Sequence, residues 1–191
     1  MGTTRSGERK LQILQALAQM LEEPRGEKIT TAALARRLSI SEAALYRHFA
    51  SKAQMFEGLI EFIESSVFGV INQINEKEEN GLTQTQSVSM LLLNFAARNP
   101  GMTRVMIGDA LVNEDSRLQL RMNQFFDRVE LTLRQCLRLA VVQGQTKEEW
   151  VTVKSNLMMS YIIGKLFRFV KTQFKENPTG GMLEQINFIL S

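Results

Sequence analysis

The side chains with most to offer a partner lie close together in residues 30–49, TTAALARRLSISEAALYRHF. The spacing of their apolar positions predicts two short helices, 31–38 and 42–49, joined by Ser39-Ile40-Ser41. Those are the dimensions of a helix-turn-helix unit. Leu34 and Leu38 face inward from the first helix, Ala35 is small where the second must cross closely, and Ile40 plugs the turn. Leu45 and Phe49 anchor the second helix, and Ser41 is placed to cap it. Glu42, Ala44, Tyr46, Arg47 and His48 are left on the outward face. In the major groove, such a helix would present its first residues to base edges and its flanks to phosphates. The same spacing suits an ordinary helical hairpin, and spacing alone does not separate the two.

Other chemistries find little support. One histidine cannot supply a His-rich metal site, and His48 already belongs to the segment above. Cys136 sits among Leu133, Leu137 and Val141, the surroundings of an inert buried thiol. Glu61 with Glu64, and Glu76 with Glu79, are carboxylate pairs without neighbouring ligands and read as solvated faces. There is no glycine-rich phosphate loop. Neither enzymatic activity nor a cofactor is expected.

Charge is informative through its distribution. Nine Lys/Arg against five Glu give residues 1–52 a net +4, so the remainder carries −1 of the overall +3. A basic head on a near-neutral body suits contact with a polyanion at one end, although from charge alone a plain solvated surface is the better reading. The single cysteine, the absence of a signal-peptide run at MGTTRSGERK and the lack of a long apolar stretch predict a cytoplasmic protein without a membrane span.

The elements that must position the segment are helical nearly throughout. Leu11, Leu14, Leu17, Ala18 and Leu21 predict a first helix over 6–23, stopped by Pro24-Arg25-Gly26. Ser51 opens a long helix to about residue 75, and Ser51-Lys52-Ala53-Gln54 has the form of a capping box. Further helices are predicted over 84–98, 101–112 and 116–143, and the last of these stops at Gly144. Thr146-Lys147-Glu148-Glu149 reads as a second capping box, opening a helix over 147–176, and a short helix covers 182–190. The helix over 147–176 is apolar around almost its whole circumference, from Trp150 to Phe174. Such a helix must be covered on all sides; its own domain plus a second copy of the chain could do this, with Ser160 and Gly164 allowing close approach, and a monomer with a deep core is the alternative.

The pattern L-A-x-x-L-x-I-S-x-x-x-L-Y-x-H-F followed by S-K resembles the TetR family of bacterial regulators. Ser39 stands where that family's turn often has glycine. The resemblance implies an all-α fold in which a helix-turn-helix DNA-binding domain over 1–51 precedes a helical dimerisation domain over 52–191. Carried over by position, Thr30, Thr31, Tyr46, His48 and Lys52 would meet phosphates. Ser41, Glu42, Ala44 and Arg47 would lie near base edges, and Arg5, Arg9 and Lys10 could form a basic arm. SEAALYRHF, MF-x-x-LIEFIE and LLL-x-F-x-x-RNPG-x-TR are similar to the family's nucleoid-occlusion branch. That implies a nucleoid-associated homodimer which binds palindromic double-stranded DNA and then antagonises polymers of the division GTPase FtsZ. The branch's partner surface corresponds here to Phe62, Leu91, Arg98 and Asn99, with Val70 replacing a basic residue and Asn94 a glycine. Taken as residues alone, Phe62 and Leu91 read as core packing in preference to a partner surface, and Arg98-Asn99-Pro100-Gly101 equally as a plain helix end; only the resemblance favours the partner role. Two other classes stay open: a repressor released by an apolar ligand among the ten methionines and eleven phenylalanines, and a helical interaction module without DNA activity.

Overall fold

Short polar side chains placed just ahead of apolar-periodic stretches start most of the helices. Thr30 Oγ1 accepts from the Ala33 amide at 3.1 Å, Ser41 Oγ from Ala44 at 3.1 Å, and Asn80 Oδ1 from Thr83 at 2.9 Å. The computed structural model describes residues 3–23 and 29–191. The expected stop at Pro24-Arg25-Gly26, the charge on Lys28 and the side chain of Arg5 lie outside what it describes. The helices are α1 (Thr3–Glu22), α2 (Thr31–Arg37), α3 (Glu42–Tyr46), α4 (Lys52–Lys77), α5 (Gly81–Arg98), α6 (Pro100–Met106), α7 (Ser116–Val142), α8 (Glu148–Lys171) and α9 (Met182–Leu190). A 3-10 turn covers Asp109–Leu111. The fold is all-α, with no strand among the described residues.

Four expectations are corrected locally. Helix α3 ends at Tyr46 rather than Phe49, because the amides of His48 and Phe49 both turn back to the Leu45 carbonyl. At Ser51, the serine does accept from the Gln54 amide, but Gln54 Oε1 takes the amide of Ala50 instead of that of Ser51. The second box fails: α8 starts after Lys147 with no side-chain cap. That helix also stops at Lys171, short of 176. Gln173 and Phe174 turn left-handed (φ 54° and 64°), the Phe174 amide closes onto the Phe169 carbonyl at 2.8 Å, and the two rings pack 5.1 Å apart.

One apolar cluster runs through the molecule. It passes from Ile13 and Leu17 of α1, through Leu34, Leu45, Phe56 and Leu59, into Leu92, Met122, Phe125, Met158 and Ile162. Helix α4 is its spine, burying Met55, Ile60, Ile63, Val67 and Ile71 along one face. Two glycines permit crossings that no side chain would. A Cβ at Gly81 would lie 2.3 Å from the Ala140 nitrogen, where α5 meets α7. A Cβ at Gly101 would lie 2.1 Å from the Ala18 carbonyl oxygen, so α6 begins directly on α1.

Only half of α8 is covered by its own chain. Val151, Met158, Ile162, Leu166 and Phe169 are buried, whereas Trp150, Val153, Leu157, Ile163 and Phe167 are exposed. Leu120 and Leu131 of the adjoining α7 are exposed as well.

Candidate nucleic-acid interface

The reading head is assembled by apolar contacts that leave its polar side chains outside. Leu34 and Ala35 of α2 and Leu45 of α3 are buried, and Ile40 is half-buried between them. The turn needs one left-handed residue, and Ser39 supplies it at φ 52°. The amides of Ser39 and Ile40 close on Arg36 and Ala35 at 3.0 Å each, so serine replaces glycine without loss of the turn.

On the outer side, three side chains form a chain of hydrogen bonds across the two helices. Tyr46 donates to Thr31 Oγ1 at 3.4 Å, and Thr31 donates to a Glu42 carboxylate oxygen at 2.6 Å. The Thr30 and Ser41 hydroxyls are engaged as caps. Arg47 is exposed and Ala44 half-buried. His48 differs from the expected outward placement, because its Nδ1 is buried with no hydrogen-bond partner.

Lys52 is the largest departure from a free phosphate ligand. Its ammonium is ion-paired with Glu114, in the segment leading into α7, and lies 5.6 Å from the Phe56 ring centroid. Nothing in the sequence near Lys52 signals a carboxylate 62 positions away. On the remaining basic residues, Arg37 pairs with Glu23, Arg9 donates to Gln12 at 2.8 Å, and Lys10 lies over the Phe49 ring at 5.7 Å.

The four residues of the implied partner surface come from α4, from α5 and from the corner after α5. Phe62, 43% exposed, lines an open groove of about 470 Å³ with Leu14, His48, Glu57 and Glu61. Leu91 is half-buried against the core. Arg98 and Asn99 adjoin at the corner between α5 and α6. Asn99 donates to the Phe95 carbonyl at 2.8 Å, and Arg98 is exposed, with no ion-pair partner among the described residues. Asn94 is turned onto its own helix, donating to the Met90 carbonyl at 2.8 Å, and Val70 is exposed.

That corner is tied back to α1, which packs against α2 of the reading head. Beyond the Gly101–Ala18 contact, Arg104 donates to the Leu21 carbonyl at 3.1 Å and pairs with Asp109 at 2.8 Å. Lys171 of α8 holds the other Asp109 oxygen at 2.7 Å. Burial pushes the Asp109 carboxyl up, but hydrogen bonds from Lys171 and Arg104, with their charges, outweigh this and hold it below the ordinary range.

Comparison with known proteins places this geometry. Residues 13–59 match the family model described as bacterial regulatory proteins, tetR family, and residues 79–191 match the SlmA-like model described as tetracyclin repressor-like, C-terminal domain. The nucleoid occlusion factor SlmA of Idiomarina loihiensis is 51% identical over 174 residues, covering 90% of this chain and 88% of that one. The SlmA of Marinomonas sp. is 48% identical over 177 residues, covering 92% and 90%. The chain belongs to the SlmA nucleoid occlusion factors of the TetR family. Among solved structures, the TetR-family regulator PfmR of Thermus thermophilus superposes with a TM-score of 0.77 at 21% identity, covering 93% of this chain and 96% of that one. FadR of Bacillus subtilis, solved in complex with stearoyl-CoA, gives 0.74 at 16% identity, covering 95% and 97%. At such identities these two speak for the fold alone. As expected for this SlmA-type chain, the helix-turn-helix of a DNA-binding regulator is present, and no helix among the described residues is long and apolar enough to cross a membrane.

Proposed function

We propose that this chain occludes division over the nucleoid as a DNA-bound homodimer that antagonises FtsZ assembly. Two reading heads take the half-sites of a palindrome on one face of the duplex, about 34–36 Å apart. Thr30, Ser41, Tyr46, Arg47, His48 and Lys52 supply the phosphate and groove contacts of each head. The bare side of α8, with Ile163 and Phe167, meets its equivalent on the second copy, where Gly164 leaves room for close approach. FtsZ is engaged along the groove between α4 and α5, with Phe62 from α4 and Leu91, Arg98 and Asn99 from α5 and its end. The protein works in the cytoplasm, on the chromosome.

The observation that carries this reading is Arg98, exposed at the end of α5 with no ion-pair partner among the described residues, next to the α6 contact with α1. An exposed guanidinium without a partner is available to an acidic or carboxylate-bearing segment. Its helix end is joined through Gly101 and Arg104 to the element that carries the reading head. Release by an apolar ligand has less support, since Met106, Met122, Met158 and Phe125 are packed in the core.

The test is light scattering of FtsZ polymers with wild type and Arg98→Asp, each with and without operator DNA. Wild type is expected to lower scattering, more strongly with operator. Arg98→Asp is expected to lose that effect while keeping operator affinity, because residue 98 lies outside the reading head. Wild type that leaves polymers untouched under every condition would overturn the reading.

A further inference from the structure

We propose that Glu42 is a specificity-determining residue that reads the exocyclic amino group of a cytosine, and that Thr31 is its positioning residue, not a phosphate ligand. This rests on the DNA-binding role argued above and adds the chemistry by which one base pair in each half-site is chosen.

The Thr31 hydroxyl has one proton to give, and it gives it to Glu42 at 2.6 Å while accepting from Tyr46 at 3.4 Å. Donation to a carboxylate is charge-assisted, so a phosphate would have to displace an equally charged acceptor already in place. Tyr46 differs: its bond to Thr31 is long, its side chain is 46% exposed, and its phenol can swing to a phosphate at little loss. Thr31 keeps its grip on Glu42 throughout such a movement.

Glu42 opens the first turn of α3, the part of a recognition helix that meets base edges. One carboxylate oxygen is pinned by Thr31, and the other has no hydrogen-bond partner among the described residues and lies on an exposed residue. An ionised carboxylate only accepts hydrogen bonds. In the major groove the donors are the N4 amino group of cytosine and the N6 amino group of adenine, whereas guanine O6 and N7 and thymine O4 are acceptors. Adenine places its N7 acceptor beside N6, against the carboxylate, and cytosine carries no acceptor on that edge, so cytosine is favoured. An anion among phosphates weakens binding to every duplex, and only a donor facing it offsets that repulsion. Pinning by Thr31 fixes the direction of the free oxygen before DNA arrives, which converts a general repulsion into a choice of base.

The experiment is fluorescence anisotropy with an operator selected by wild type from a random duplex pool. It uses a panel with each half-site position substituted, and an unrelated duplex across a range of salt. Wild type is expected to show one cytosine per half-site whose replacement by thymine weakens binding about tenfold. Glu42→Ala should erase that discrimination while binding the unrelated duplex at least as tightly. Thr31→Val should cut the discrimination several-fold with unchanged affinity and salt dependence on the unrelated duplex, and Thr31→Ser should restore it. Thr31→Val that weakens all duplexes alike with a shallower salt slope would make Thr31 a phosphate contact and overturn the proposal. So would Glu42→Ala that tightens all duplexes equally without altering base preference. Wild type that binds no duplex fails the DNA-binding role itself, and that failure is visible before any variant is made.

Discussion

Lys52 cannot hold Glu114 and a phosphate with the same ammonium, and this competition has a measurable size. The pair ties the first residue of α4 to the segment ahead of α7, with side chains 24% and 15% exposed. Partial shielding places it toward the upper end of what surface pairs contribute, about 1 kcal/mol. Glu114→Gln removes the competing charge while keeping shape, so the free protein loses about that much stability and each head binds DNA about fivefold more tightly. Two heads on a palindrome compound this to roughly 25-fold. Lys52→Ala is expected to act oppositely, weakening binding to all sequences and reducing the salt slope by about one per head. The assay is anisotropy over a salt series with wild type, both single variants and the double variant. In the Lys52→Ala background, Glu114→Gln should produce only the small gain of removing a negative charge from the vicinity of DNA. Glu114→Gln that leaves affinity unchanged, or an equal gain in both backgrounds, would refute competition at Lys52.

Asp109 is held below the ordinary carboxylate value of 3.8, so its contribution to stability is complete above that value and is lost as pH falls through its folded value. Asp109→Asn should therefore lower the melting temperature at pH 7 and make the decline between pH 5 and pH 3 shallower, as followed by circular dichroism. Gly101→Ala forces a methyl against the Ala18 carbonyl and should cost about 2 kcal/mol, roughly 4–8 °C in melting temperature, by calorimetry. Ile163→Glu or Phe167→Glu on the uncovered side of α8 should yield monomer or unfolded chain in sedimentation at micromolar concentration, where wild type sediments as a dimer. Burial pushes the Cys136 thiol up to about 11, so it should resist thiol reagents at pH 8 until the protein is unfolded.

The helical order, the cap at Ser41 and the inward set Leu34, Ala35 and Leu45 were legible because each follows from neighbours within a turn or two. The failures have a common cause as well. Thr146-Lys147-Glu148-Glu149 has the residue types of a capping box, yet capping depends on the backbone entering the helix at the right angle, and there the chain arrives from the turn after α7 without it. The left-handed stop at Gln173 and Phe174 was hidden because neither residue is glycine or asparagine, and a ring contact with Phe169 helps hold the turn. Site residues divide along the same line. Tyr46 and Arg47 stand outside, as helical spacing requires, whereas the partners of Thr31 and Lys52 are set by how helices cross. A residue type and its position state which bonds a side chain is able to make. Which bond it has already made depends on residues elsewhere in the chain, and for Lys52 that residue is Glu114. Family resemblance therefore transfers the location of the reading head more securely than the role of each side chain in it. Thr31 and Lys52, both expected on phosphates, are each held by a carboxylate of their own chain, and DNA must compete with or work around those carboxylates.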